Sequence, residues 1–284
     1  MSVNLGRHGI WILHQQLTPE LAIEIEQLGY GTIWLGGNPP GDLALARQLL
    51  AATQRISFAT GIVNVWRFPA ADVAKSYVEI ERAFPGRFLL GVGIGHPEQL
   101  AEFRSPHDTL VRYLDDLDAG GVPVEGRVLA ALGPRMLRLA GQRARGASPY
   151  LTTPQHTADA RAVLGEGPLL APEQKVVLSS DLDFARSVGR PVVRRPYLEL
   201  SNYRRNLLRA GFTEDDLDTA SDRIIDALAL SGDAAHVAAG LNAHLEAGAD
   251  HVAAQVLTAS GRVDESYRAA IQMLAAELGL LATQ

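Results

Sequence analysis

Short apolar runs alternate with helix-forming segments along this chain, and this alternation restricts the possible folds more than any other feature of the sequence. Eight runs rich in β-branched or aromatic residues are predicted to be strands, at residues 9–14, 32–36, 55–63, 87–93, 127–132, 148–153, 175–179 and 251–257. The segments between them carry apolar residues three or four positions apart, as at Val73, Tyr77 and Ile80, which is the pattern of a helix packed on a sheet. Strands that alternate with helices form parallel sheets, so the sequence predicts an α/β fold, a (β/α)8 TIM barrel.

The length of the chain fits one such barrel. It has 284 residues, of which 47% are hydrophobic. The longest interruption, residues 182–249, contains several helical segments and falls between the seventh and eighth predicted strands. We interpret it as a helical insertion that covers the barrel mouth. No internal repeat or low-complexity linker marks a second domain, so we expect residues 1–284 to form a single domain.

Composition excludes several classes of function. The formal net charge is −6, whereas nucleic acids and anionic membranes attract proteins with clustered Lys and Arg. The chain has no cysteine, which excludes disulfides, thiolate metal sites and a thiol nucleophile, and no His-Glu-x-x-His set predicts a metal site. No apolar run is long enough to span a membrane, and the N-terminus lacks a signal-peptide pattern. We therefore expect a cytoplasmic protein without nucleic-acid or membrane partners.

Prolines mark where helices begin soon after strands. The pairs Thr18-Pro19, His96-Pro97, Gly133-Pro134 and Thr153-Pro154 all follow this pattern. Proline suits the first helical position, and the residue before it is biased toward an extended conformation. In an α/β barrel these junctions form the rim where active sites are built. His96 is therefore expected on the rim.

The junction that contains His96 is rich in glycine and reads "FLLGVGIGHPEQL" from Phe88 to Leu100. It is not the dinucleotide fingerprint, because His96 takes the place of the third glycine and the strand is the fourth rather than the first. Gly93 and Gly95 would let a flat ligand approach the backbone while His96 faces it. Alternatively, the glycines ease strand curvature and His96 caps the helix. The residues alone leave both interpretations open.

The third strand is interrupted by a glycine. In "ATGIVNVWRFP", Gly61 breaks a β-branched run and is followed by Asn64 and Trp66. Glycine inside a strand often marks a bulge or a close backbone approach. The alternative is that Trp66 belongs to the core and that Asn64 forms a turn.

Residues 59–97, "ATGIVNVWRFPAADVAKSYVEIERAFPGRFLLGVGIGHP", resemble the luciferase-like monooxygenase superfamily, specifically the branch that uses the deazaflavin coenzyme F420. Further blocks, including "RVLAALGPRMLRLAGQRARGASPYLTT" and "AGADHVAAQVL", are similar to an actinobacterial subfamily of F420-dependent oxidoreductases. Together they cover nearly the whole chain. The resemblance implies hydride transfer between F420 and a small organic substrate. An FMN-dependent luciferase-like monooxygenase and a non-catalytic F420-binding barrel are the alternatives.

The resemblance also implies roles for individual residues. A non-prolyl cis bond at Gly61-Ile62 would back the central ring of the cofactor, and His96 would contact the ring and act as proton donor. The implied cofactor-binding residues are Gly61, Ile62, Asn64, Gly95, Gln99, Gly133, Pro134 and Arg135. The last three form the start of a helix, where free amides and a cation suit the phosphate of the cofactor. A homodimer is also expected.

One departure from the superfamily concerns the end of the second strand. Where its sugar-phosphate dehydrogenases have Asp-His, this chain has Gly36-Gly37-Asn38. This argues against sugar-phosphate activity. His14, at the end of the first strand, could replace the polar side chains that are missing here and serve as a second catalytic residue. Alternatively, its ring could simply hydrogen-bond to the backbone.

The tail of the cofactor distinguishes F420 from FMN. F420 carries a phosphodiester and a polyglutamate chain, whereas FMN ends in one phosphate. Five arginines near the fifth and sixth predicted strands form a local excess of positive charge, with Glu125 as the nearest acid: Arg127, Arg135, Arg138, Arg143 and Arg145. Some of them must face solvent as ordinary helix-surface residues, but we predict that the cluster as a whole forms a cationic exit for the tail.

Overall fold

The computed structural model describes residues 2–95 and 105–281. These residues form eleven strands and twelve α-helices. The strands are β1 (His8–Leu13), β2 (Thr32–Gly36), β3 (Ser57–Gly61), β4 (Val63–Asn64), β5 (Phe88–Gly93), β6 (Arg127–Leu129), β7 (Gly146–Ala147), β8 (Leu169–Leu170), β9 (Glu173–Leu178), β10 (Ala229–Gly232) and β11 (Val252–Val256). The helices are α1 (Pro19–Gln27), α2 (Ala44–Ala52), α3 (Ala70–Ala83), α4 (Pro106–Ala119), α5 (Pro134–Arg143), α6 (Pro154–Leu164), α7 (Leu182–Arg194), α8 (Ser201–Arg209), α9 (Glu214–Thr219), α10 (Asp222–Leu228), α11 (Ala234–Glu246) and α12 (Glu265–Glu277).

The strands pair in parallel and curl into a barrel-like sheet. Their order is β10-β9-β11-β1-β2-β3-β5-β6-β7-β8, and β4 pairs with β5 beside this path. The two distant strands β8 and β9 are separated by only two residues of chain, and N of Glu173 donates to O of Pro149 at 3.0 Å. β8, at one end of this order, is thus linked through one continuous segment to β9, the second strand from the other end. The predicted TIM-barrel class of fold is confirmed.

Alternation along the strands separates the two faces of the sheet. In β1, Ile10 and Ile12 pack with helix residues in the larger core, whereas Trp11 packs inside the barrel with Trp34 and Leu89. Both faces of a barrel strand are buried, which is why these strands are almost entirely apolar. Burial on both faces leaves the strand ends as the places where functional side chains can reach solvent.

The third strand is broken, as its glycine suggests. β3 ends at Gly61, the peptide bond between Gly61 and Ile62 is cis, and β4 resumes the pairing with Val63 opposite Val92. The predicted cis bond is therefore confirmed. A Cβ atom on Gly61 would lie only 2.8 Å from Nε1 of Trp11, so this position must be glycine while that indole stays in place.

The sixth predicted strand was misplaced by a few residues. It was predicted at residues 148–153, but β7 covers Gly146–Ala147. One more backbone bond, from N of Ser148 to O of Leu129, continues the pairing. Beyond it Leu151 has φ of 57°, which is incompatible with a strand, and Thr153 caps the next helix. The chain therefore leaves the sheet before the apolar run ends.

Residues 182–249 contain α7 to α11, and also the short strand β10, which pairs with the outer end of β9. The strand was not predicted. Leu198, Leu207, Leu217 and Ile224 of this segment pack in a second hydrophobic cluster, which also contains Leu151 from outside the segment. The description of the segment as an insertion, and of residues 1–284 as one domain, remains a prediction.

No helix within the described residues is long and apolar enough to cross a membrane.

Candidate functional site

A cavity of about 610 Å³ lies at the carboxyl ends of the strands. Trp11, Trp34 and Tyr150 supply aromatic surface, Gly61 and Ile62 form part of the wall, and residues of α5 and α8 contribute as well. Small-molecule sites usually have volumes of about 300–1,000 Å³ and mostly apolar walls with a few polar groups. The cavity has the size and position of an active site in a barrel of this class.

Most of the predicted cofactor-binding residues that the structure describes line this cavity. They are Gly61, Ile62, Gly95, Gly133, Pro134 and Arg135. Asn64 is not among the lining residues: its Oδ1 accepts from N of Trp66 at 2.9 Å, and its amide lies against Gly95. This is the turn-forming role that the sequence left open, so a direct ring contact by Asn64 stays a prediction.

The structure describes only one of the two predicted catalytic histidines. His96 lies outside the described residues, as does Gln99. His14 follows β1 and its Nδ1–H donates to O of Gly36 at 2.8 Å. Its ring lies beside the cavity, whose nearby lining residues are Leu13 and Gly37. A catalytic role for either histidine remains a prediction.

Trp11 explains the glycine at position 36, the last residue of the second strand. A Cβ atom on Gly36 would lie 2.1 Å from the indole of Trp11. The same indole lies against Gly61 and packs on Tyr150 with ring centroids 5.2 Å apart. The aromatic ring thus fills the space next to Gly36 and leaves no room for a side chain there.

Helix α5 begins at the cavity without a side-chain cap. Its N-cap is Gly133, whereas Thr18 and Thr153, in the equivalent places before α1 and α6, both cap their helices with their side chains. The guanidinium of Arg209 lies 3.6 Å from the position of a Cβ on Gly133, and Asn206 holds it through a hydrogen bond of 3.1 Å. Helix-start amides and a guanidinium together suit an anion.

Arginines dominate the charge of the cavity. Five of them line it: Arg135, Arg138, Arg195, Arg205 and Arg209. Arg195 pairs with Glu199 at 3.0 Å and Arg135 approaches Asp108 at 4.0 Å, but within residues 2–95 and 105–281 the other three have no ion pair. Glu173 is the one carboxylate among the described lining residues, and it is already paired. The opening is therefore positively charged.

This arginine group differs from the predicted one. Only Arg135 and Arg138 belong to both. Arg127 is fully buried, where it pairs with Asp118 at 2.7 Å and donates to carbonyl oxygens. Arg143 pairs with Asp115 and Asp118, and Arg145 donates to O of Val3. The prediction that these three line the exit was wrong, because their side chains are used to join elements of the fold.

A buried polar cluster in the cavity wall was not predicted. Nζ of Lys175 is 3.0 Å from Oε1 of Glu173 and 3.8 Å from the ring centroid of Tyr150. The other oxygen of Glu173 accepts from N of Leu151, and the hydroxyl of Tyr150 donates to Oε1 of Gln255 at 2.9 Å. Burial lowers the pKa of Lys175, and the adjacent carboxylate opposes this shift. Burial also raises the pKa of Tyr150 well above its usual value, which keeps the phenol neutral.

The sequence did carry a signal for this cluster. Glu173 and Lys175 stand two residues apart in a strand that is otherwise suited to burial, so both point to the same face. Charged residues in a buried strand need a partner or a function. In α8, the arginines at 205 and 209 have the four-residue spacing of one helix face.

Comparisons with known proteins agree with this fold. Residues 6–119 match the family model of the luciferase-like monooxygenases. The chain is 32% identical over 108 residues to 4-hydroxyprotoasukamycin monooxygenase from Streptomyces nodosus subsp. asukaensis. This match covers 35% of the chain and only 29% of that relative, so it does not transfer the relative's activity.

Solved structures share the fold over almost the whole chain. An F420-dependent secondary alcohol dehydrogenase in complex with an F420-acetone adduct has a TM-score of 0.72 at 16% identity, with 99% of each chain covered. The oxygenating constituent of 3,6-diketocamphane monooxygenase from Pseudomonas putida, in complex with FMN, has a TM-score of 0.69 at 14% identity, with 96% and 98% covered. The chain thus has the luciferase-like barrel fold, and the predicted resemblance to the luciferase-like monooxygenases is confirmed by the match over residues 6–119. The similar structures include both F420 and FMN proteins.

Proposed function

We propose that this protein is an F420-dependent oxidoreductase that transfers a hydride between the deazaflavin ring and a small organic substrate. The observation that carries the proposal is the positively charged cavity mouth, with three arginines unpaired within the described residues next to the uncapped start of α5. F420 brings a phosphodiester and several carboxylates to such a mouth, whereas FMN brings one phosphate. More positive charge is present than one phosphate requires.

The described residues fit the cofactor in two respects. Gly61 and Ile62 offer a flat, apolar wall with no side chain on the glycine, as a planar ring system requires. Gly133 and Arg209 offer an open cradle with cationic and amide donors, as a phosphate requires. When bound, F420 would supply the hydride-carrying carbon.

The protein would supply binding, orientation and a proton partner. In this proposal Gly61, Ile62 and Gly95 back the ring, and Gly133, Pro134, Arg135 and Arg209 hold the phosphate. His96, which carries this role only through the resemblance, would exchange a proton close to the ring. An imidazole suits this because its ordinary pKa of about 6.5 permits both protonation states near neutrality.

Cofactor titrations test the proposal. We would titrate purified protein with F420 and, separately, with FMN at low ionic strength, following the fluorescence of each cofactor. We expect F420 to bind at least ten times more tightly than FMN. Tight FMN binding without detectable F420 binding would contradict the proposal. If F420 binds but is neither reduced nor oxidised with any substrate, the protein is a binding barrel without turnover.

The second candidate is an FMN-dependent luciferase-like monooxygenase. It is supported by the partial sequence match to 4-hydroxyprotoasukamycin monooxygenase and by the FMN-bound structure with the same fold. On this alternative, reduced FMN and oxygen would replace F420. The substrate's identity, a homodimer and a cytoplasmic location remain predictions.

A further inference from the structure

Gln255 presents an unused hydrogen-bond donor to the cavity. The residue is only 9% exposed, and it lines the cavity. Oε1 accepts from the hydroxyl of Tyr150 at 2.9 Å, while Nε2 has no hydrogen-bond partner among the described residues and is not fully enclosed. A buried amide N–H without a partner is costly unless water or a ligand accepts from it.

The orientation of this amide is fixed by its hydrogen bond to Tyr150. The hydroxyl of Tyr150 donates to Oε1. The ring of Tyr150 contacts Nζ of Lys175, 3.8 Å from its centroid, and the indole of Trp11, with ring centroids 5.2 Å apart. The Lys175–Glu173 ion pair lies in the same wall. Burial keeps the phenol of Tyr150 neutral, so its hydroxyl keeps the proton that it donates to Oε1. An amide that accepts a hydrogen bond at its oxygen is polarised, and this makes the N–H groups of Gln255 more positive.

The surroundings of Gln255 define the kind of ligand. Ala253, Ala171 and Trp34, together with Trp11, give this part of the cavity an apolar surface. Trp11 also touches Gly61, so the subsite adjoins the wall proposed to back the cofactor ring. A ligand here must combine an apolar body with one acceptor oxygen.

We propose that the side-chain amide of Gln255 binds the carbonyl oxygen of the substrate, and that Tyr150 positions this amide. The inference rests on the proposed hydride transfer and specifies its substrate as a neutral carbonyl compound, or the corresponding alcohol in the reverse direction. Hydride addition to the carbonyl carbon moves the π electron pair onto oxygen, which then takes a proton from the proton partner of the proposed function. The N–H donors of Gln255 stabilise that developing negative charge.

The test uses acetophenone labelled with ¹³C at its carbonyl carbon, and α-methylstyrene, which has the same shape without the oxygen. The α-methylstyrene carries ¹³C at the corresponding carbon. Each compound is titrated into the full-length protein, and its ¹³C resonance is followed by NMR. We expect saturable binding of acetophenone with a downfield shift, because donation to the oxygen draws electron density from the carbonyl carbon. The variant Gln255→Met, of similar size, should bind acetophenone about three- to ten-fold more weakly, lose the shift and bind α-methylstyrene as the wild type does.

Two further variants separate positioning from general damage. Tyr150→Phe should reduce the downfield shift while leaving α-methylstyrene binding unchanged, because the amide is no longer oriented. Gln142→Met, at an exposed position, should change nothing. Absence of saturable acetophenone binding, or a shift that persists in Gln255→Met, would overturn the inference.

F420 titrations on the same samples distinguish the two proposals. F420 binding without Gln255-dependent acetophenone binding refutes the subsite alone. Gln255-dependent acetophenone binding without F420 binding refutes the proposed cofactor and leaves the carbonyl subsite standing.

Discussion

The arginines in two regions of this molecule do opposite things. Arg127 and Arg143, which follow one another around β6 and α5, are tied to carboxylates and carbonyl oxygens and join elements of the barrel. Arg205 and Arg209 on α8 face the cavity and have no ion pair within the described residues. Arginines that are paired with carboxylates and carbonyl oxygens stabilise the fold. Arginines that lie near each other without a carboxylate partner are arranged to bind an anionic ligand.

Loss of Arg127 should have the largest effect, and it should fall on stability. Arg127→Met leaves the buried carbonyl oxygens of Arg143 and Val122 without their donor. We expect unfolding in urea to show a loss of about 3 kcal/mol, since each buried acceptor left without its donor costs about 1–3 kcal/mol. Arg138→Met, at the exposed mouth, is the matched control and should change stability by about 0.5 kcal/mol or less. Equal losses in the two variants would show that the two regions do not differ.

A buried histidine inside the barrel, His251, stabilises the fold as Arg127 and Arg143 do. We call these residues the structural region, and His251 makes the stability of the protein depend on pH. His251 accepts from Nε1 of Trp34 at 3.0 Å, and burial lowers the pKa of His251 to about 4. Because the unfolded chain then binds the proton more tightly, the free energy of unfolding should fall as pH drops from about 6.5 to about 4, by up to about 1.4 kcal/mol per pH unit.

Urea unfolding at several pH values checks this dependence. The variant His251→Asn should be less stable at neutral pH and should show a shallower loss below about pH 6.5. An unchanged slope in the variant would mean that other groups cause the acid sensitivity. Binding of the cofactor should follow the folded fraction only, because His251 belongs to the structural region.

Arg209 should show the reverse pattern, with an effect on binding and almost none on stability. Arg209→Met removes a charged donor beside Gly133, so we expect F420 affinity to fall about ten-fold or more. The control is Arg143→Met, which should leave affinity unchanged. Fluorescence titration measures both. An affinity loss in Arg143→Met equal to that in Arg209→Met would break the distinction between the regions.

The smallest expected effect is that of salt. Exposed charges are screened over about 8 Å at physiological ionic strength, so F420 affinity should decrease a few-fold from low to physiological salt. The double variant Arg205→Met/Arg209→Met should lose much of this dependence. A salt dependence that is the same in the double variant would place the relevant charges elsewhere.

Sequence patterns predicted the barrel well because its elements depend on local rules. The apolar strands, the prolines at the starts of α1, α5 and α6, and the glycine at the third-strand bulge all act over a few neighbouring residues. The strand β10 was missed because four residues give little periodicity. The presence of Gly36, where the sugar-phosphate dehydrogenases of the superfamily have Asp-His, is explained only by the folded structure, which packs Trp11 against it.

The composition of the site was harder to predict because it depends on contacts between distant segments. No sequence pattern near Arg127 predicts that its guanidinium is buried and pairs with Asp118. Likewise, Arg209 meets Gly133 across many intervening residues. The cluster of arginines in the sequence includes two that line the cavity, Arg135 and Arg138. The sequence could not distinguish these two from the arginines that join elements of the fold.

A crystal structure of the protein with F420 bound would test the central claim most directly. We predict that the deazaflavin ring lies against Gly61 and Ile62, and that the phosphate lies within hydrogen-bond distance of Arg209 and the start of α5. The polyglutamate chain should extend along the mouth arginines. A ring bound elsewhere, or a phosphate directed away from α5 and α8, would contradict the assignment of the cavity and its arginines to this cofactor.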